Sequence, residues 1–293
     1  MAWLICGTVP EADFPLVRGR WRIENGVLYA EGDAAPPIPA RRGTPALLGA
    51  ALLACAALGA EPPLALLVGD TGKGDGSRAL YASLAVSLPG DAFSGITFHY
   101  LFPDLDGHNR VLMALETASP RPLLVADAGF MYVAKMSGYA DAYDLFTPDA
   151  GELAFLADEK APHPFYTRGF LLASEDEAPE LAARAYRHGN AARFLLVKGE
   201  TDYLVRDGAI IGQVREPRTA ALEAIGGTGD LVTGLVTALL AAGLDMERAC
   251  LTAALAARLA GRLARPTPAT QVADLLPFLP EAVRRARCLP TMR

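Results

Sequence analysis

Short, wholly apolar runs recur along the chain, each followed by a segment whose apolar positions return at helical spacing. Leu64–Val68, Gly95–Tyr100, Leu123–Asp127 and Phe194–Val197 read as buried strands. Helices are predicted up to about Leu88, over 107–118 and 130–136, and up to about His188. Two more are predicted to end near Ala264 and Arg287. Strands this short, alternating with helices, predict a mostly parallel sheet covered on both faces.

Local punctuation sharpens the boundaries. Thr44-Pro45 reads as a cap followed by a first-turn proline, opening a helix that stops at Gly59. Thr147-Pro148 repeats that pattern, Ser174 to Glu177 forms a capping box, and Asp245 caps the long alanine-rich helix. Tyr203–Arg206 and Ala209–Val214 around Asp207-Gly208 predict a hairpin. Residues 1–43 are the least regular, with strand-like Trp3–Cys6 and Val27–Ala30 and a Pro36-Pro37-Ile38-Pro39 stretch predicted to be irregular. With no internal repeat or low-complexity linker, residues 1–293 are expected to form one domain.

Composition narrows the classes of function. Hydrophobic residues make up 52% of 293, enough for a substantial core. A net charge of −6 offers no basic field for nucleic acid or an anionic membrane surface, so neither partner is expected. The four cysteines are scattered singles, which argues against zinc and against a disulfide framework; Cys6, Cys55 and Cys250 lie in apolar surroundings and read as core. No basic segment precedes the first apolar run, and the run from Pro45 to Ala60 is too short to span a bilayer, so a cytoplasmic location is expected.

The strongest candidate chemistry is Gly226-Gly227-Thr228-Gly229-Asp230, a glycine-rich turn running into an apolar helix. Glycines let a ligand approach the backbone, and the free amides of a first helical turn favour an anion. Asp230 beside such a cradle makes sense as a base that takes a proton from a hydroxyl attacking a phosphoryl group. Taken alone, the turn is equally readable as a capped helix start. A second glycine loop, Gly69–Ser77, follows a strand but departs from the P-loop pattern at Leu67 and Gly74, and reads first as a surface loop. Asp127 ends a buried strand, where open α/β sheets place ligand contacts, yet it could as well cap the next helix. Asp149 and Glu152 share the start of a helix, and Lys198-Gly199 ends another strand. The four histidines, His99, His108, His163 and His188, show no metal spacing.

Asp127, Thr147-Pro-Asp-x-x-Glu152, Lys198-Gly199 and Gly227-Thr-Gly-Asp230 fall in an order that resembles the ribokinase-like superfamily, and most of all the ADP- or ATP-dependent NAD(P)H-hydrate dehydratases. The resemblance covers roughly residues 64–287. It implies a three-layer α/β/α sandwich and ATP or ADP with Mg2+ as cofactors. Asp230 would be the catalytic base and Gly227, Thr228 and Gly229 the anion hole. Gly226, Lys198 and Gly199 would lie on the nucleotide side, and Asp127, Asp149 and Glu152 on the substrate or magnesium side. It further implies a hydroxyl-bearing small-molecule substrate, hydrated NAD(P)H among them, and a homo-oligomer. Asp149 stands where these dehydratases have histidine, and Thr219–Ile225 replaces their approach to the anion hole. Two alternatives therefore stay open: a kinase for a small alcohol such as a sugar or vitamin precursor, and a nucleotide-binding paralogue without catalysis.

Overall fold

In the computed structural model, which describes residues 1–162, 177–267 and 269–288, the apolar runs assemble into one nine-stranded sheet. In chain order the strands and helices begin with β1 (Trp3–Val9), β2 (Val17–Gly19), β3 (Trp21–Glu24), β4 (Val27–Ala30), β5 (Ile38–Pro39), α1 (Gly43–Leu58), β6 (Leu64–Gly69) and α2 (Asp75–Ser87). Next come β7 (Gly95–His99), α3 (Leu105–Glu116), β8 (Leu123–Asp127), α4 (Gly129–Met136), β9 (Leu145–Phe146), α5 (Ala150–Ala157) and α6 (Ala178–Arg187). The chain continues through β10 (Phe194–Val197), β11 (Asp202–Arg206), β12 (Ala209–Val214), α7 (Thr228–Ala241), α8 (Met246–Ala264), α9 (Val272–Leu275) and α10 (Leu279–Cys288).

The sheet runs β12-β11-β10-β9-β8-β7-β1-β6-β2, parallel from β10 to β6 and antiparallel at β2, β11 and β12. Side chains alternate between its faces as strand geometry requires. Trp3, Ile5 and Val9 of β1 pack with α1, α7, α8 and α10, whereas Leu4 and Cys6 point to the layer of α2 to α6. Val125 against Leu124 and Ala126 in β8, and Leu196 against Leu195 and Val197 in β10, divide the same way. Helices thus cover both faces of a mostly parallel sheet, the three-layer arrangement expected. The described helices include none long and apolar enough to cross a membrane.

Several local expectations are met and others are corrected. The hairpin forms, with Asp207 and Gly208 both at positive φ (54° and 77°), and Asp245 caps α8 by accepting from the Arg248 amide. Residues 1–43 are far from peripheral: β1 lies at the sheet centre, and Trp21, Leu28 and Ile38 of the small β3-β4-β5 sheet join the α1 side of the core. Ile38-Pro39 is a strand rather than irregular, because it pairs with Leu28 and Val27. Neither Thr44 nor Thr147 is a cap; their hydroxyls turn inward to His99 and Thr233, and Asp149 caps α5 in a capping box with Glu152. The Ser174 capping box lies outside the described residues.

One core group ties stability to pH. His108 on α3 is buried, with Nε2 2.8 Å from the Tyr143 hydroxyl and Nδ1 3.1 Å from Ser137 Oγ. Burial lowers its pKa from 6.5 to about 4, with Asn109 opposing the shift. A folded-state value below the unfolded one means that the unfolded chain binds protons more readily between the two, so stability is full above about 6.5 and is lost as pH falls through about 4. The contribution is up to ~3 kcal/mol. Urea unfolding at about pH 7 and about pH 4.5 is expected to show a smaller acid-induced loss in His108→Gln than in the natural chain. Equal losses would mean that His108 does not carry this dependence.

Candidate functional site

The carboxyl ends of adjacent parallel strands share one edge of the sheet, and open α/β sheets bind ligands in the crevice outside that edge. Here β7 ends in His99, β8 in Asp127, β9 runs into Thr147-Pro148-Asp149, and β10 runs into Lys198. The amino ends of α1 and α7 reach the same edge, bringing Gly43, Thr44 and Asp230 to these strand ends. Beside these strand ends lies a cleft of about 670 Å3, and Asp127, Asp149, Glu152, Lys198, Gly199 and Gly226 to Asp230, the residues singled out for the site in the sequence, all line it. That volume suits a nucleotide-sized ligand.

Asp230 sits in the first turn of α7 and is pinned at both oxygens. Oδ2 accepts from the Gly43 amide at 2.6 Å, and Oδ1 lies 3.1 Å from His99 Nε2. His99 is wholly buried, and its Nδ1 lies 3.0 Å from Thr44 Oγ1. Gly7 of β1 makes room for this contact, since a side chain there would start 2.5 Å from Thr44 Oγ1. The residues immediately after His99 and Asp127 are strained, with Tyr100 at φ 51° and Ala128 at φ 51°, ψ −136°. Such conformations cost about 1–3 kcal/mol each. They turn the chain sharply at the strand ends, leaving the Tyr100 ring half exposed at the cleft.

Asp127 is the centre of a second group. Lys198 Nζ reaches its two oxygens at 2.9 and 3.0 Å, Thr233 donates to Oδ2 at 2.5 Å, and the Ala128 amide donates to Oδ1 at 2.8 Å. Burial opposes ionisation of Asp127, but Lys198 and these hydrogen bonds outweigh it and hold its pKa below the usual value. Burial likewise disfavours the Lys198 ammonium, and Asp127 and Glu152 more than restore it. Glu152 is the contrasting case, pushed up to about 8 by burial first and by Asp149 second. Its Oε1 accepts from Tyr132 and its Oε2 from the Asp149 amide. His99, Asp127 and Asp230 place one possible ligand atom each within 4.8 Å of one another. Lys198 already donates to both oxygens of Asp127, and the Gly43 amide to one of Asp230, so this trio already holds hydrogen bonds within the protein.

The glycine turn has the properties of an anion cradle. Gly227 is the N-cap of α7 at φ 96°, a conformation that strains any side chain. The amides of Thr228, Gly229 and Asp230 donate to no acceptor among the described residues. Lys198 Nζ lies 3.3 Å from where a side chain on Gly229 would begin, so a positive charge flanks the turn. The cleft is also lined by Arg258, buried, whose Nε donates to Asp202 at 2.7 Å and whose Nη2 donates to the Gly199 and Glu200 carbonyls at 2.9 Å.

The other glycine loop is structural. Asp70 accepts from the amides of Gly72, Lys73, Gly74 and Ser77 and from the Ser77 hydroxyl, so a carboxylate of the chain itself fills the nest that a phosphate would need. Residues 69–77 do not line the cleft, which agrees with a plain loop. His99, Thr44, Gly43 and Thr233 carried no spacing signal in the sequence. The nearest hint to His99 is its place at the end of an apolar strand, the same position that singled out Asp127.

Comparison with known proteins agrees with this architecture. A profile of the NAD(P)H-hydrate dehydratase family, a carbohydrate-kinase group, matches residues 105–279. An uncharacterized protein of Methanocaldococcus jannaschii is 37% identical over 219 residues, 74% of this chain and 90% of that protein. A ribokinase-like superfamily protein from Enterococcus faecalis aligns at TM-score 0.57 with 13% identity, covering 97% of this chain and 87% of that one. The ADP/ATP-dependent NAD(P)H-hydrate dehydratase of Bacillus subtilis, co-crystallised with ATP and Mg2+, aligns at 0.56 with 15% identity, covering 97% and 89%. At these identities the structural likeness establishes the fold, which is ribokinase-like.

Proposed function

We propose, for a chain that belongs to the NAD(P)H-hydrate dehydratase family of ribokinase-like enzymes, that it moves a phosphoryl group from ATP or ADP to the hydroxyl of hydrated NADH or NADPH. Phosphate then leaves by elimination and restores the reduced nicotinamide. The observation that carries this reading is a carboxylate, Asp230, in the first turn of a helix whose Thr228, Gly229 and Asp230 amides have no acceptor among the described residues.

In this reading the substrate hydroxyl gives its proton to Asp230 as its oxygen attacks the terminal phosphorus, and the nucleotide departs with one phosphate fewer. The amides of Thr228 and Gly229 would donate hydrogen bonds to the phosphoryl oxygens as negative charge builds on them, where losing one donor costs about 3 kcal/mol. Lys198 adds fixed positive charge beside them. Gly199, Arg218, Tyr100 and the glycine turn all line the cleft; in this reading the nucleotide would lie on the Gly199 side and the hydroxyl substrate beside Asp230. Glu152, buried, and Asp149, exposed, both line the cleft and offer hard oxygen donors, which fits magnesium carried on the nucleotide phosphates. When bound, the ion would offset phosphate charge. The substitution of Asp149 for the histidine of related dehydratases keeps one competing reading open, a kinase that stops at the phosphorylated product.

The deciding assay supplies hydrated NADH with magnesium and either ATP or ADP and follows product by absorbance and mass. Reduced nicotinamide and free phosphate, formed only with nucleotide, are expected. A stable phosphorylated alcohol would favour the kinase. Binding of nucleotide without turnover of any hydroxyl compound would overturn both.

A further inference from the structure

We infer that His99 is a positioning residue, which holds the Asp230 carboxylate away from the amides of its own helix and so keeps base and anion cradle available together. The inference rests on Asp230 being the base. Asp230 is the third residue of α7, whose first amides have no acceptor among the described residues. A carboxylate in a first helical turn is drawn to such amides, as in a capping box. Were Asp230 to fold back onto them, it would occupy the donors a phosphoryl group needs and would itself be lost as a base. Two contacts prevent this, the Gly43 amide on Oδ2 at 2.6 Å and the His99 ring on Oδ1 at 3.1 Å.

The proton inventory of the ring follows from its neighbours. An ionised carboxylate only accepts, so the nitrogen facing Asp230 must carry a proton. Nδ1, 3.0 Å from Thr44 Oγ1, then accepts the single proton of that hydroxyl. A neutral ring protonated at Nε2 satisfies all three groups, and the same nitrogen lies 3.8 Å from Asp127 Oδ2. The ring is wholly buried, edge-on to Tyr100 with centroids 4.4 Å apart and held at its two nitrogens by Thr44 and Asp230. Each Asp230 oxygen keeps one lone pair free to receive a substrate proton.

The test has an arm that needs no turnover. Ring-nitrogen NMR of the natural full-length chain, with the His99 signals identified by their loss in His99→Gln, is expected to show a fixed tautomer protonated at Nε2. In Asp230→Ala those signals should move toward values averaged between tautomers. A ring protonated at Nδ1, or signals unmoved in Asp230→Ala, would overturn the assignment whatever the enzyme's substrate. In the hydrated-NADH assay, His99→Phe should lose about 10²-fold in kcat, the scale of a misplaced reacting group, with the nucleotide KM little changed. His99→Gln, which can still present an N–H toward Asp230, should recover most of that loss. A His99→Phe enzyme within about threefold of the natural kcat would also overturn it. If the natural chain fails to turn over hydrated NADH, the functional reading falls while the NMR arm still decides the role of His99.

Discussion

Replacing Asp230 by asparagine is expected to lower turnover by about 10²–10⁴-fold, the usual worth of a positioned general base. Nucleotide binding should survive, because the amides of the turn, Lys198 and the Gly199 end of the cleft are untouched. Asparagine has one oxygen where aspartate has two, and the natural side chain accepts from both Gly43 and His99. The variant can still be satisfied: its oxygen takes the Gly43 amide, its NH2 donates to a His99 ring that has moved its proton to Nδ1, and Thr44 becomes the acceptor. A fold that tolerates the change lets the loss be read as chemistry. Thermal unfolding with magnesium and ATP at about a hundred times the dissociation constant should show ~2.7 kcal/mol of added stability in both proteins. Turnover of the variant near the natural rate would remove Asp230 from the mechanism.

The largest stability loss is expected for Arg258→Leu. The guanidinium is buried beside Asp202 and also holds the carbonyls of Gly199, Glu200 and Arg215. Burial pushes the Asp202 carboxyl up, and Arg258 is the principal group opposing that. Breaking one side of a buried pair typically costs about 3–5 kcal/mol, because the other charge is left without a partner. The melting temperature should fall by roughly 6–20 °C at the 2–4 °C per kcal/mol usual for large domains. The double variant Asp202→Leu/Arg258→Leu should regain part of the loss, since it removes the orphaned charge as well. A single variant within about 1 kcal/mol of the natural chain would show that the pair holds neither the fold nor the loop after Lys198.

Much of the candidate site is legible in the chain because it is local. Gly227 to Asp230 is one turn, the Asp149–Glu152 pair is one capping box, and Asp127 and Lys198 each end an apolar strand, so spacing of a few residues suffices to pick them out. The other side of Asp230 is not local. His99 and Asp230 are 131 residues apart, and Gly43 and Asp230 are 187 apart. No helical or strand period links such positions. Thr44 shows how a local rule misleads: threonine before proline reads as a cap, yet its hydroxyl is claimed by His99 once α1 packs on β1 beside Gly7. Gly69–Ser77 misleads in the other direction, because glycines that could cradle a phosphate cradle Asp70 instead.

By itself, then, the order of apolar runs and turn residues determined the layered α/β class, the family resemblance and the glycine turn with its aspartate. Those properties arise from periodicity and from contacts within a few residues. The tertiary structure alone decided that β7 lies beside β8 and β1 in the sheet, which sets His99 opposite Asp127 and under Thr44. It also decided that α1 packs along α7 so that a backbone amide, Gly43, reaches the carboxylate. The physical reason is that strand order and helix packing are chosen by the whole buried core, whereas a sequence window reads only the part of that free energy carried by neighbours along the chain.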